Sequence, residues 1–224
     1  MSRQFLVVGL GRLGIAMVGT LDSLGHDVLA LDTKEEVIQN LVERLPNVHA
    51  VAADATDEDV LRGLNVETFD SAAVVIGENH VEACILATAN LKELGVPNIV
   101  ARATNKVQAR VLARVGADRV IQPEREMGQQ IARVLASPAV LDYVDLGEDE
   151  AIIEAHVPAQ WTGKTLADLA LSRRLGLTIV ALKRKGEAGT LPRGDTTLQK
   201  DDVVVVGGSK KALDASPLSG PKAG

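Results

Sequence analysis

Over the first half of the chain, short apolar runs alternate with stretches of helical periodicity. The runs at 5–8, 28–31, 48–52, 72–76, 99–101 and 119–121 are rich in Val, Leu, Ile and Ala, as strands buried on both faces require. Between them, apolar residues recur at helical spacing over 12–24, 34–45, 57–63, 79–94 and 105–115. This alternation predicts βαβ units, and hence an α/β fold with a Rossmann-like, doubly wound parallel sheet and right-handed crossovers. Gly25, Gly95 and Gly116 mark helix ends, while Thr56-Asp57 and Thr104-Asn105 offer N-caps.

The pattern changes at Pro123. A helix is expected over 123–135, broken by Ser137-Pro138, with a second short helix over 139–144. Beyond it, 152–157, 177–184 and 203–206 read as strands, 165–170 as a short helix opened by Gly163-Lys164-Thr165, and 186–189 as a turn. This is a small α+β C-terminal module without a nucleotide loop. The expected division is therefore a Rossmann domain with its crossover helix over 1–137 and a second domain over 138–212. A disordered tail is expected over 213–224, where Ser, Pro and Gly accumulate.

Composition narrows the function classes. Aromatic residues make up only 2% of the 224 residues, so the core must be aliphatic. A formal net charge of -6 argues against nucleic acid as a partner, which normally requires a basic face. Cys84 is the single cysteine, so no internal disulfide can form. The histidines His26, His49, His80 and His156 are scattered and form no metal or triad pattern. The N-terminus runs directly into a strand without a signal-peptide h-region, and no apolar run approaches the ~20 residues that span a bilayer. A soluble, cytoplasmic chain is expected.

The candidate chemistry lies after the strands. Gly9-Leu10-Gly11-Arg12-Leu13-Gly14 follows the first strand and opens the first helix, the context that a dinucleotide-type phosphate loop needs. Gly9 allows the tight turn, Gly11 lets a phosphate approach the backbone, and Gly14 lets helix and strand pack closely. Free N–H groups at the helix start and the helix dipole favour an anion there. Asp32, at the end of the second strand and followed by Thr33, suits ribose hydroxyls and disfavours a 2′-phosphate. Arg12 either clamps a terminal phosphate or is a solvated helix residue. Asp54, in Ala53-Asp54-Ala55-Thr56, either accepts from an adenine amino group or caps the next helix. Gly77-Glu78-Asn79 either lines the same crevice or caps its helix. Arg102, after the fifth strand, is placed to reach phosphate. Glu124 either compensates a helix dipole or reaches a metal ion or a neighbouring subunit.

Together these residues resemble the RCK (regulator of potassium conductance) family, in particular the TrkA/KtrA-type cytoplasmic subunits of bacterial potassium uptake systems. The resemblance rests on Val8 to Gly14, Leu31-Asp32, Ala53 to Thr56, Leu94-Gly95-Val96-Pro97, Val115-Gly116-Ala117-Asp118 and Pro123 to Gly128. It continues through Trp161 to Leu166, the strand at 177–183 and Gly194-Asp195…Asp201-Asp202-Val203. It implies a gating subunit that binds ATP, ADP or NAD(H) at Gly9, Gly11, Arg12, Leu13, Gly14, Asp32, Thr33, Asp54, Ala55, Gly77, Glu78 and Arg102. It further implies a cation beside the nucleotide at Glu124 and dimers assembled into an octameric ring. The ring would dock on a membrane potassium-transporting subunit of TrkH/KtrB type. In some members the C-terminal module binds cyclic di-AMP, and no local motif here decides that point.

Two other functions compete. A nucleotide or redox sensor could serve another potassium transporter, such as an antiporter. An NAD-dependent dehydrogenase would use the same loop and Asp32. It would also need a substrate pocket and a proton donor near the nicotinamide, and no such constellation is visible.

Overall fold

The computed structural model describes residues 2–186 and 189–219. The chain divides into two compact units between Glu124 and Arg125. The first unit is built on strands β1 (Gln4–Val8), β2 (Asp27–Asp32), β3 (His49–Ala52), β4 (Ser71–Val74), β5 (Ile99–Arg102) and β6 (Arg119–Ile121). All pair in parallel, in the order β3-β2-β1-β4-β5-β6. Helices α1 (Arg12–Ser23), α2 (Glu35–Arg44), α3 (Glu58–Gly63), α4 (Val81–Glu93) and α5 (Lys106–Arg114) connect them.

Successive strand residues point to opposite faces, so the continuous apolar runs feed two cores at once. On β1, Val7 packs with Val18 of α1 and with Ile38 and Leu41 of α2. Its neighbour Leu6 belongs to the other layer, with Leu61, Leu91 and Leu112 of α3, α4 and α5. The predicted caps operate: the Asp57 side chain accepts from the Asp59 and Val60 amides, and Asn105 accepts from those of Val107 and Gln108. Strand order reverses between β1 and β4, where open α/β sheets place their ligands, outside the carboxyl ends of the strands.

The helix α6 (Pro123–Ala136) leads into the second unit. Its sheet holds β7 (Val140–Asp145), β8 (Glu150–His156), β9 (Leu177–Lys183) and β10 (Val203–Ser209), antiparallel, in the order β7-β8-β10-β9. The short helices α7 (Leu166–Leu169), α8 (Leu171–Leu175) and α9 (Lys210–Ala215) accompany it. Trp161, Leu177, Leu198, Val204 and Val206 form its core. The capping box between Thr165 and Asp168 starts α7 where Gly163-Lys164-Thr165 predicted a helix.

Two expectations fail here. Residues 139–144, expected as a helix, form β7. The register against β8 shifts between Val140 and Asp142, so the buried residues Val140 and Tyr143 stand three apart and imitate a helical period. Residues 213–219, expected to be disordered, are ordered. The Ser209 side chain caps α9 by accepting from the Ala212 amide, and a 3-10 turn follows at Pro217–Ser219. Leu213 and Leu218 are buried in the second core, which fixes a segment whose composition looked like a tail. Residues 187–188 of the expected turn and 220–224 of the expected tail lie outside the described residues.

Candidate functional site

Because the six strands run parallel, everything that follows their carboxyl ends gathers along one edge of the sheet. The glycine loop is shaped by its neighbours. Gly9 has φ +95°, and its amide donates to the Leu31 carbonyl at 2.8 Å. A Cβ there would stand 2.8 Å from the Ile76 nitrogen. At Gly14 a Cβ would stand 1.9 Å from the Gly9 carbonyl oxygen, so only glycine lets α1 pack on the loop. At Gly11 the same addition meets nothing within 4 Å. That side of the loop is open, where a phosphate would need to approach.

The start of α1 is suited to an anion. Its N-cap, Gly11, supplies no side-chain hydrogen bond, and its first turn holds no acidic residue. The amides of Arg12, Leu13 and Gly14 therefore lack intrahelical acceptors. The exposed Arg12 has no hydrogen-bond or ion-pair partner among the described residues.

Asp32 is held from two sides. Its Oδ2 accepts from the Leu10 amide at 2.8 Å, and its Oδ1 accepts from the Lys34 amide at 3.0 Å. Each carboxylate oxygen keeps a lone pair for a further donor. The glycine loop thus fixes the carboxylate that is expected to meet a ribose, while Thr33 beside it is exposed. Asp54 does not cap α3, a task performed by Asp57. Its Oδ1 instead accepts from the Thr56 amide at 2.9 Å and the Thr56 hydroxyl at 2.8 Å, and Ala55 is buried beneath.

Beyond β4, β5 and β6 the structure unites three candidates that the sequence presented separately. The Arg102 Nη2 donates to Glu78 Oε1 at 3.0 Å and to Glu124 Oε1 at 2.7 Å. Glu78 therefore pairs with an arginine, whereas the N-cap of α4 is His80. Arg102, expected to be free for phosphate, is engaged by carboxylates. Gly77 lies exposed just before Glu78. Among the described residues, no group of three or more His, Cys, Asp or Glu suits a metal ion. Cys84 donates to the Arg102 carbonyl at 3.6 Å, and burial pushes its thiol up to about 11, so it is a small core residue at neutral pH.

A cavity of about 430 Å³ lies elsewhere, at the amino ends of the strands, lined by Phe5, Met17, Leu21, Ser71, Asn98 and Val100 among others. It is almost wholly apolar and lacks the glycine loop, so we place the site at the opposite edge. The Leu10–Asp32 hydrogen bond and the Arg102 cluster were missed in the sequence. The only available signal was that each residue follows a strand of the same sheet.

Fold and site define a class: a two-unit chain whose Rossmann-type unit presents a phosphate loop, followed by a small antiparallel module. Comparison with known proteins gives the family. The TrkA-N domain matches residues 5–123 and the TrkA-C domain matches 151–215. The chain belongs to the TrkA family of RCK domain proteins. It is 38% identical to the Ktr system potassium uptake protein C of Bacillus subtilis, over 93% of each chain. It is also 38% identical to the Ktr system potassium uptake protein A of that organism, over 95% of this chain and 94% of that one. The protein A of Vibrio alginolyticus is 37% identical over 95% of each chain. Among solved structures, the GsuK RCK domain aligns with TM-score 0.70 at 21% identity, over 99% of this chain. This chain spans about half of that one, 48%. The dehydrogenase alternative fails, because these relatives over nearly the whole chain are potassium uptake proteins; the chain is not an enzyme. No helix among the described residues is long and apolar enough to cross a membrane.

Proposed function

We propose that this chain is the nucleotide-sensing regulatory subunit of a potassium uptake system, with ATP or ADP as its ligand and NAD(H) as the alternative. The carrying observation is Asp32, oriented by the Leu10 and Lys34 amides beside an uncapped helix N-terminus that has no acidic residue in its first turn. That pairing matches a ligand with ribose hydroxyls at one point and phosphates at the next. Gly9, Gly11, Leu13 and Gly14 supply the phosphate cradle, and Thr33 borders the ribose. Asp54, Ala55 and Gly77 border the base side of the crevice. A nucleotide bound there is a signal to be read, as befits a chain whose relatives are potassium uptake proteins. Relatives of the same fold include a GsuK channel bound to NAD and GsuK bound to ADP.

The Ktr relatives support a place in a potassium uptake system. In this proposal the partner is a membrane potassium-transporting subunit of TrkH/KtrB type, and this chain sits on its cytoplasmic face as a homo-oligomer, dimers closing into an octameric ring. A cation beside the nucleotide would draw the Glu124 carboxylate away from Arg102 and take its remaining ligands from the nucleotide or a second copy.

Arg12 distinguishes the nucleotides in this reading, since its guanidinium serves a terminal phosphate. A charge-assisted hydrogen bond contributes about 1.5–3 kcal/mol, so Arg12→Ala should weaken ATP binding ~10-fold or more. ADP binding should change less than about threefold. Calorimetry on the full chain measures both, and equal losses remove Arg12 from the switch. Native mass spectrometry of the purified protein reports any retained nucleotide together with the assembly mass. A chain that retains and binds no nucleotide sinks the proposal.

A further inference from the structure

The cluster beyond β4, β5 and β6 is an unusual thing to find at an anion-binding edge. Arg102 has a side chain only 11% exposed, while Glu78 and Glu124 are 63% and 61% exposed. A guanidinium carries five N–H donors. Here a single nitrogen, Nη2, serves both carboxylates, and the buried Nε has no partner. An unsatisfied buried donor is costly, so this arrangement leaves the arginine under-used. Two carboxylates sharing one cation also leave the cluster net negative, which opposes an approaching phosphate. Glu78 stands two residues after Ile76, against whose backbone Gly9 packs, and both lie beyond the carboxyl end of β4. Glu124 stands in the first turn of α6, the helix that leads into the second unit.

We infer that Glu78 and Glu124 are internal competitors for Arg102: they hold it through the two contacts described, and a polyphosphate displaces them, releasing the first turn of α6 from the end of β5. This rests on the nucleotide reading above and deepens it. The latch lowers the affinity for the anion by the fraction of time Arg102 is engaged. By linkage, the anion weakens the hold on α6 by the same factor. Glu124 thereby joins the site to the connecting helix. Glu78 and Glu124 act as positioning residues for Arg102, and they set how much negative charge a ligand must bring.

The test is ATP binding by calorimetry, in buffer free of divalent cations, to the full chain and to Glu78→Gln and Glu124→Gln, each also made in an Arg102→Gln background. Exposed carboxylates hold an arginine only weakly, so each single substitution should tighten ATP binding about two- to fivefold. In the Arg102→Gln background the gain should vanish, because the competitor then has nothing to compete for. Equal tightening in both backgrounds would mean plain charge repulsion and overturns the latch. Unchanged affinity in the single variants overturns it too. Should Arg102→Gln fail to fold, hydrogen exchange of the wild-type chain decides. Amides over 124–128 should exchange faster at saturating ATP, and in Glu124→Gln they should already do so without it. No change in the wild type refutes the latch. A wild-type chain that binds no nucleotide refutes the underlying reading instead, an outcome distinct from binding without a latch.

Discussion

Three glycines in one loop perform three physically different tasks. Gly14 is a packing requirement, since its missing Cβ is where the Gly9 carbonyl sits. Gly9 combines a positive φ with close approach to the Val75 and Ile76 backbone just after β4. Gly11 needs neither and faces open space, so its small size serves whatever enters the loop. We therefore expect Gly14→Ala to cost ~3 kcal/mol or more of stability in a denaturant titration, through forced overlap. Gly11→Ala should cost only about 1 kcal/mol, as a poorer N-cap, while weakening nucleotide binding strongly. Similar stability losses for the two would refute this division. The motif and the task of each glycine were legible in the sequence. The atoms that enforce those tasks, the Ile76 backbone beside Gly9 and the Gly9 carbonyl beside Gly14, were not, because they depend on the path of α1.

Between elements, the turns of the first unit are secured by carboxylates that cross from one element to the next. Asp118, just before β6, accepts from the Ile99 amide at 2.8 Å and from Lys92 of α4 at 3.0 Å. The Ile99 amide, and after it Lys92, hold its carboxyl below the usual range. The sign follows from linkage: a lowered folded pKa contributes stability above the ordinary carboxylate value, and this is lost as pH falls through the folded value. Asp118 is exposed, so solvent screening keeps the effect small. Asp118→Asn should lower Tm by about 2 °C at neutral pH, with variant and wild type converging in acid. A difference that persists after the carboxyl is protonated in the folded chain points to packing and not charge. Elements of this unit were readable because long apolar runs and caps obey local rules. The element that was misread, β7, carries a bulge, and a bulge shifts the very periodicity by which strands are recognised.

At the scale of the whole molecule, α6 is the element without a settled burial. None of its 14 residues is buried. Val134 packs partly against the second core, and Arg133 lies over the Tyr143 ring at 4.7 Å. Met127, Ile131 and Leu135 remain exposed by 52%, 50% and 78%. At helical spacing these residues form one apolar stripe, which the chain by itself leaves exposed. A second copy is the occupant that the oligomer reading requires. Ile131→Asp should reduce the assembly mass in native mass spectrometry while leaving the far-ultraviolet circular dichroism unchanged. An unaltered mass would exclude this stripe from the interface.

By itself the sequence determined the doubly wound sheet, the glycine loop, the acidic residue at the end of β2 and a small α+β second module. Each rests on short-range regularities: period, caps, and glycine at points of close approach. The tertiary structure alone decided what those residues do to one another. Asp32 is aimed by an amide of the loop, Arg102 is divided between Glu78 and Glu124, and Leu213 and Leu218 turn an apparent tail into core. The physical reason is common to all three cases. Hydrogen bonds, ion pairs and burial join residues far apart in sequence, and no local pattern encodes which distant partner a side chain will meet.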